Sequence, residues 1–216
     1  MESKCYSVTE YEKIVEDLLK GNVVGFPTDT VYGLAIVYDD VKAFNKLYQI
    51  KNRSILKPIS MMVANKKVID NVAYVNKNDE KVIDKLLPGA LTIILKAKDG
   101  LPEHVTFNNP TVGIRIPNHE LALKILEKVN KPLLVTSANV SGLSDLITYK
   151  DVYDVFNGKI ASLIMQDATN GKASTVVNLT CDPFKILRKG PIQEKDIIKS
   201  TLLSLTSSQA LKAKSG

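Results

Sequence analysis

Val23-Val24-Gly25-Phe26-Pro27-Thr28-Asp29-Thr30-Val31-Tyr32-Gly33 is the stretch whose reading decides the fold. Val23 to Phe26 is a short apolar run stopped by Pro27, so it reads as a buried strand whose exit must be a loop. The loop then presents two hydroxyls, a carboxylate and a permissive glycine at a strand's exit, where α/β folds place ligands. A plain turn, in which Thr28, Asp29 and Thr30 satisfy their own backbone, explains the same residues. Taken alone, the segment does not choose between a site and a turn.

Upstream, Tyr11, Ile14, Val15, Leu18 and Leu19 form an i, i+3, i+4, i+7, i+8 stripe, with Thr9 and Glu12 spaced as a capping box and Gly21 as a stop. This predicts an amphipathic helix ahead of the strand. Downstream, Val41, Phe44, Leu47 and Tyr48 share one face of a second helix starting near Asp40. Strands are expected at Pro58 to Val63, Leu91 to Ala97, Thr111 to Ile116, Leu133 to Thr136, Ser162 to Met165, Thr175 to Leu179 and Phe184 to Leu187. Helices are expected at Lys66 to Val72, Asp79 to Leu87, His119 to Val129 and Gln193 to Leu203. Strands and helices mixed along the chain predict a layered α/β fold. One domain over 1–206 is the simplest count, with a polar tail over 207–216 expected to fray.

The 216 residues are 44% hydrophobic, enough for a real core. No window approaches the roughly 20 apolar residues that cross a bilayer, and the N-terminus lacks a signal-peptide layout, so a cytoplasmic location without membrane contact is expected. Cys5 and Cys181 are too few and too far apart for a disulfide framework or a zinc site, so no metal ligand set is read. His104 and His119, the chain's two histidines, disfavour a His-based triad and read as surface or structural residues. The net charge of +6 suits anionic partners such as nucleotides or RNA. No basic run with interleaved aromatics marks a nucleic-acid platform, and a solvated basic surface explains the charge as well.

Lys51, Arg53 and Lys57 converge on one short connection stiffened by Pro58. Three like charges repel unless an anion joins them, and a phosphate would satisfy all three. An arginine fork and lysine point charges suit a triphosphate. There is no Gly-x-x-x-x-Gly-Lys-Ser/Thr loop, so ATP would be bound without that device. Thr136-Ser137-Ala138-Asn139-Val140-Ser141-Gly142 again places small polar groups at a strand's exit, although a cap or turn accounts for it in isolation. Ser174, Thr175 and Arg188 repeat the theme. Arg115 lies inside an apolar strand, where an unpaired guanidinium is costly, so a carboxylate from protein or substrate is expected beside it.

In order along residues 8–200, Phe26 to Leu34, Lys51-x-Arg53, Lys57-Pro58, Val112 to Pro117, Ser137-Ala138-Asn139-x-Ser141-Gly142, Ser174 to Val177 and Ile186-Leu187-Arg188-x-Gly190 resemble the YrdC-like family, the threonylcarbamoyl-AMP synthases. The resemblance implies a twisted open mixed sheet with flanking helices and a large basic concave cleft. It implies an enzyme that makes threonylcarbamoyl-adenylate and pyrophosphate from L-threonine, bicarbonate and ATP, for the t6A modification at position 37 of tRNAs reading ANN codons. The product would pass to a separate tRNA threonylcarbamoyl-transferase complex, and a direct tRNA contact is compatible with the charge.

By position in the motifs, Lys51, Arg53, Ser137 and Asn139 correspond to the catalytic signature. Arg53, Lys57, Thr111, Asn139, Ser144 and Arg188 would hold ATP, and Thr30, Arg115, Ser137 and Ser174 would hold threonine. Magnesium is expected on the phosphates, held largely by substrate and water, with Asp29 a candidate contributor.

The chain departs from the family pattern at Ala35, Ser54 and Asn178, and at Met61-Met62, where a histidine is frequent near the threonine pocket. These changes touch the amino-acid pocket more than the cationic set. Two other readings compete. One is a carbamoyl-adenylate module of the hydrogenase-maturation type, disfavoured by the short chain and the lack of Cys-x-x-Cys. The other is an RNA-binding module without catalysis. The chain ends soon after the core, as in the short single-domain form.

Overall fold

The computed structural model describes residues 2–52, 54 and 58–202. Arg53, Lys57 and the tail over 207–216 therefore lie outside the described residues. The strands are β1 Lys4–Tyr6, β2 Val24–Phe26, β3 Gly33–Val37, β4 Ser60–Met62, β5 Ala73–Tyr74, β6 Leu91–Ala97, β7 Thr111–Arg115, β8 Leu133–Ser137, β9 Ser162–Ile164, β10 Thr175–Asn178 and β11 Lys185–Arg188. The helices are α1 Tyr11–Leu19, α2 Val41–Lys51, α3 Lys66–Val72, α4 Lys77–Leu86, α5 Glu103–Thr106, α6 Glu120–Val129, α7 Tyr149–Phe156 and α8 Glu194–Leu202. Among the described residues, no helix is long and apolar enough to cross a membrane.

All strands join one mixed sheet in the order β1-β9-β2-β3-β8-β4-β7-β6-β10-β11, with β5 beside β6. The predicted α/β class and mixed sheet are thus observed. Several elements differ from the sequence reading. The capping box sits two residues earlier than Thr9 and Glu12, at Ser7 and Glu10, where the Ser7 amide donates to the Glu10 carboxylate at 3.0 Å and a 3-10 turn precedes α1. β3 and α7 were not expected at all, and neither was the short edge strand β1.

Alternation along the strands divides two cores. Leu34 and Ile36 of β3, Met61 of β4, Val112 and Ile114 of β7, and Leu91, Ile93 and Leu95 of β6 face the larger core, where α2, α3, α4, α7 and α8 pack. Ala35, Val37, Leu133, Val135 and Met62 face the opposite way, into a smaller core roofed by α1 and α6. That second core contains no residue of β6, β7, β10 or β11.

On this side the roof therefore stops beyond β4, and among the described residues the rest of the sheet carries no part of that core. Its floor there is Thr92 and Ile94 of β6, Gly113 and Arg115 of β7, Val176 of β10 and Arg188 of β11, which the pairing register sets on one face. The basic character expected of the cleft rests partly on Arg53 and Lys57, which are not described.

Candidate active site

The loop of residues 27–32, which joins β2 to β3, is stitched to two others. The Ala138 amide donates to the Tyr32 carbonyl at 2.7 Å, and the Tyr32 amide donates to the Leu146 carbonyl at 3.1 Å. The Gly171 amide donates to the Thr30 carbonyl at 2.8 Å and the Thr169 amide to the Thr28 carbonyl at 3.2 Å. The wholly buried Tyr32 adds an anchor, its hydroxyl donating to the Ile164 carbonyl at 2.5 Å. Thr28 and Thr30 share a hydroxyl contact of 3.0 Å. Within the loop the Thr28 hydroxyl donates to the Val31 carbonyl at 2.7 Å and accepts the Thr30 amide at 3.1 Å, and the loop also forms one wall of a cavity of about 140 Å3.

Arg115 lines this cavity. Its Nη2 donates to Asp29 Oδ1 at 2.6 Å, Nη1 to Thr30 Oγ1 at 2.8 Å and Nε to the Gly89 carbonyl at 3.1 Å. The carboxylate partner expected from sequence is therefore Asp29. Both side chains are nearly buried, at 8% and 13% exposure. Burial pushes the Arg115 guanidinium below its ordinary value, and Asp29 opposes that shift. Three of the five N–H donors of a guanidinium are committed here, leaving the others for a ligand.

Ser174 stands across the cavity, buried, with its hydroxyl 2.9 Å from Thr92 Oγ1. Arg188 reaches it from β11, donating from Nε to the Ser174 carbonyl at 2.9 Å and from Nη2 to its hydroxyl at 3.0 Å. This close approach depends on Gly190, where a β-carbon would lie 2.3 Å from the Thr175 amide nitrogen and 2.6 Å from the Ala173 carbonyl oxygen.

Lys51 is wholly buried at the end of α2. Its ammonium donates to the Ser137 carbonyl, to the Asn139 carbonyl at 2.8 Å and to Asn139 Oδ1 at 2.8 Å. Ser137 Oγ donates to the same amide oxygen at 2.9 Å, and Asn139 Nδ2 donates to the Leu143 carbonyl at 2.7 Å. Lys51, Ser137 and Asn139 thus form one unit that fixes the turn after β8.

Thr30, Arg115, Ser137, Ser174 and Arg188 therefore line one cavity. Thr111 lies at the other end of β7, about 13 Å along the strand from Arg115, and borders a separate cavity with Tyr74 and Lys96. Ser144 is exposed in the loop after β8. Thr28, read from sequence only as part of the loop, and Thr92, not singled out from sequence, also line the cavity; the one signal for Thr92 was a lone hydroxyl inside an apolar strand.

The histidines have structural work. His119 Nδ1 accepts the Ala122 amide at 3.4 Å as the N-cap of α6, and His104 Nε2 lies 2.8 Å from the Tyr38 carbonyl. Among the described residues there is no group of three or more His, Cys, Asp or Glu side chains placed to hold a metal ion. Asp29 is committed to Arg115, so these residues do not fit a protein cage for magnesium and none of them is assigned as its ligand.

The Sua5/YciO/YrdC family model, whose description reads telomere recombination, matches residues 16–190. A Methanocaldococcus jannaschii relative is 38% identical over 200 residues, covering 88% of this chain and 94% of its own length. The threonylcarbamoyl-AMP synthase of Pyrococcus abyssi is 33% identical over 182 residues, 83% of this chain, which spans about half (54%) of that relative's length. Among solved structures, P. abyssi Sua5 complexed with L-threonine superposes with a TM-score of 0.86 at 29% identity, covering 92% of this chain and 59% of that one. E. coli YciO, at 24% identity and a TM-score of 0.80, shares the fold over 90% of this chain and 99% of its own. A family match over most of the chain, with a relative so similar along nearly its full length, makes this protein a member of the Sua5/YciO/YrdC family.

Proposed function

We propose that the chain is a threonylcarbamoyl-AMP synthase, making L-threonylcarbamoyl-adenylate and diphosphate from L-threonine, bicarbonate and ATP. The observation that carries this reading is Arg115, held by Asp29 and Thr30 in a small cavity rimmed by the Ser137 and Ser174 hydroxyls. A fixed guanidinium with unspent donors matches the carboxylate of an amino acid, and the hydroxyls around it match a small polar side chain. The likeness to a Sua5 structure complexed with L-threonine supports the same substrate.

The chemistry needs positioning and charge neutralisation and no covalent nucleophile. The threonine amine attacks the carbon of bicarbonate, giving a carbamate and water. A carbamate oxygen then attacks the α-phosphorus, and pyrophosphate leaves. Arg115 and Ser174 orient the amino acid, while Arg188 brings positive charge to the same edge of the cavity. Arg53 and Lys57 take the remaining phosphate charge, and Lys51 holds the Ser137–Asn139 turn against the nucleotide. Thr111 and Ser144 contact the nucleoside portion. Magnesium travels with ATP on phosphate and water.

Residues 1–206 act as the catalytic unit in the cytoplasm, and the product serves the t6A37 modification through a separate tRNA-modifying complex. The test is pyrophosphate release from ATP with bicarbonate, magnesium and L-threonine present. Release is expected only when threonine is present, with an AMP-linked product; release indifferent to threonine would sink the assignment.

A further inference from the structure

Amino-acid sites usually meet the ammonium with a carboxylate, because burying an unpaired charge is costly. This cavity lacks that feature: among the described residues, neither an aspartate nor a glutamate lines it. The residues outside the description contain neither type, so none of them can supply a carboxylate side chain. The nearest acid, Asp29, is turned onto Arg115 at 2.6 Å and stays off the cavity wall.

The charged groups that do line it are Arg115 on β7 and Arg188 on β11. Tyr32 spends its proton on the Ile164 carbonyl, Lys51 is turned onto the Ser137–Asn139 turn, and His119 caps α6. With Arg115 balanced by Asp29, the wall keeps the net positive charge of Arg188, which disfavours the charged form of an amine beside it.

We infer that this cavity takes its amino acid as the free amine, recognising an anionic 2-amino carboxylate and excluding the zwitterion. The inference rests on the proposed threonine site and deepens it. The proton goes to solvent on binding: the ammonium releases H+, and the resulting lone pair is the one that attacks bicarbonate. Selection in the ground state thus delivers the nucleophile without a general base, in keeping with the absence of any acid on the wall.

The experiment is calorimetric titration of the full chain with L-threonine, without ATP, in buffers of different ionisation enthalpy from pH 7 to 9.5. About one proton should be released per threonine bound near pH 7, and affinity should rise about tenfold per pH unit below the amine's own pKa. A trimethylammonium analogue of threonine, a permanent cation, should bind at least tenfold more weakly than threonine, and 3-hydroxybutyrate, which lacks the amine, should still bind. Threonine binding without proton release, or with affinity independent of pH over this range, overturns the inference while leaving the threonine assignment intact. Failure to bind threonine at every pH overturns both.

Discussion

Lys51 illustrates how a residue's type and its environment divide a role. The sequence placed it with Arg53 and Lys57 as a phosphate cation, whereas its ammonium is buried against Ser137 and Asn139. Lys51→Met should leave those buried acceptors unsatisfied and cost about 2 kcal/mol by urea unfolding. Activity should fall at saturating ATP, as a loss in kcat. An unchanged stability with a raised KM for ATP would instead make Lys51 a direct phosphate ligand. Arg115 was more legible, because a guanidinium inside an apolar strand demands a partner and only the identity of that partner was open. Removing it by Asp29→Ala strands a nearly buried cation and should cost about 3 kcal/mol, read by the same unfolding. Threonine affinity should fall far more than ATP affinity; equal losses would mean that Asp29 supports the fold and not this cavity.

At the scale of the element, legibility followed burial contrast. α1 and α6 showed clear stripes because each buries one face against the other and the sheet. α7 was passed over because only Val152 and Phe156 are buried along it, too few for a stripe. β3 was lost for the opposite reason: all five residues from Gly33 to Val37 are buried, so the run lacks alternation and merged with the site loop before it. β1 is mostly exposed and gains its structure from pairing with β9.

The N-cap of α6 gives a pH prediction. Burial holds the His119 imidazole below its ordinary value of 6.5, against opposing charge from Asp29 and Glu120. Between the folded and unfolded values the unfolded chain binds more protons, so this contribution is present above about pH 6.5 and lost as pH falls through the lower folded value. Protonation also removes the Nδ1 acceptor of the cap. His119→Asn keeps a capping acceptor and should flatten this part of the stability profile while matching the wild type at pH 7.5. A mutant profile that still falls below pH 6.5 by the same amount would show that another group governs it.

At the scale of the whole molecule, function depends on an unequal covering of one sheet. The larger core lines one face across most of the strands, while α1 and α6 roof only part of the other. That asymmetry could not be read from local patterns, because strand order and register set it, and these join residues far apart in sequence. It also sets most residues of the roof core apart from those that line the cavity, with Met62 and Val135 shared between them. Leu18 is wholly buried in the roof core and is not itself among the residues that line the cavity. Leu18→Ala should therefore cost about 3 kcal/mol in unfolding free energy. Ligand stabilisation should survive: threonine at one hundred times its dissociation constant should add about 2.7 kcal/mol to wild type and mutant alike. The two increments, measured by denaturant unfolding with and without threonine, should agree within about 0.5 kcal/mol, as expected for independent sites. A mutant that loses the threonine increment would show that the roof sets the shape of the cavity, and that the open half of the sheet does not hold its geometry alone.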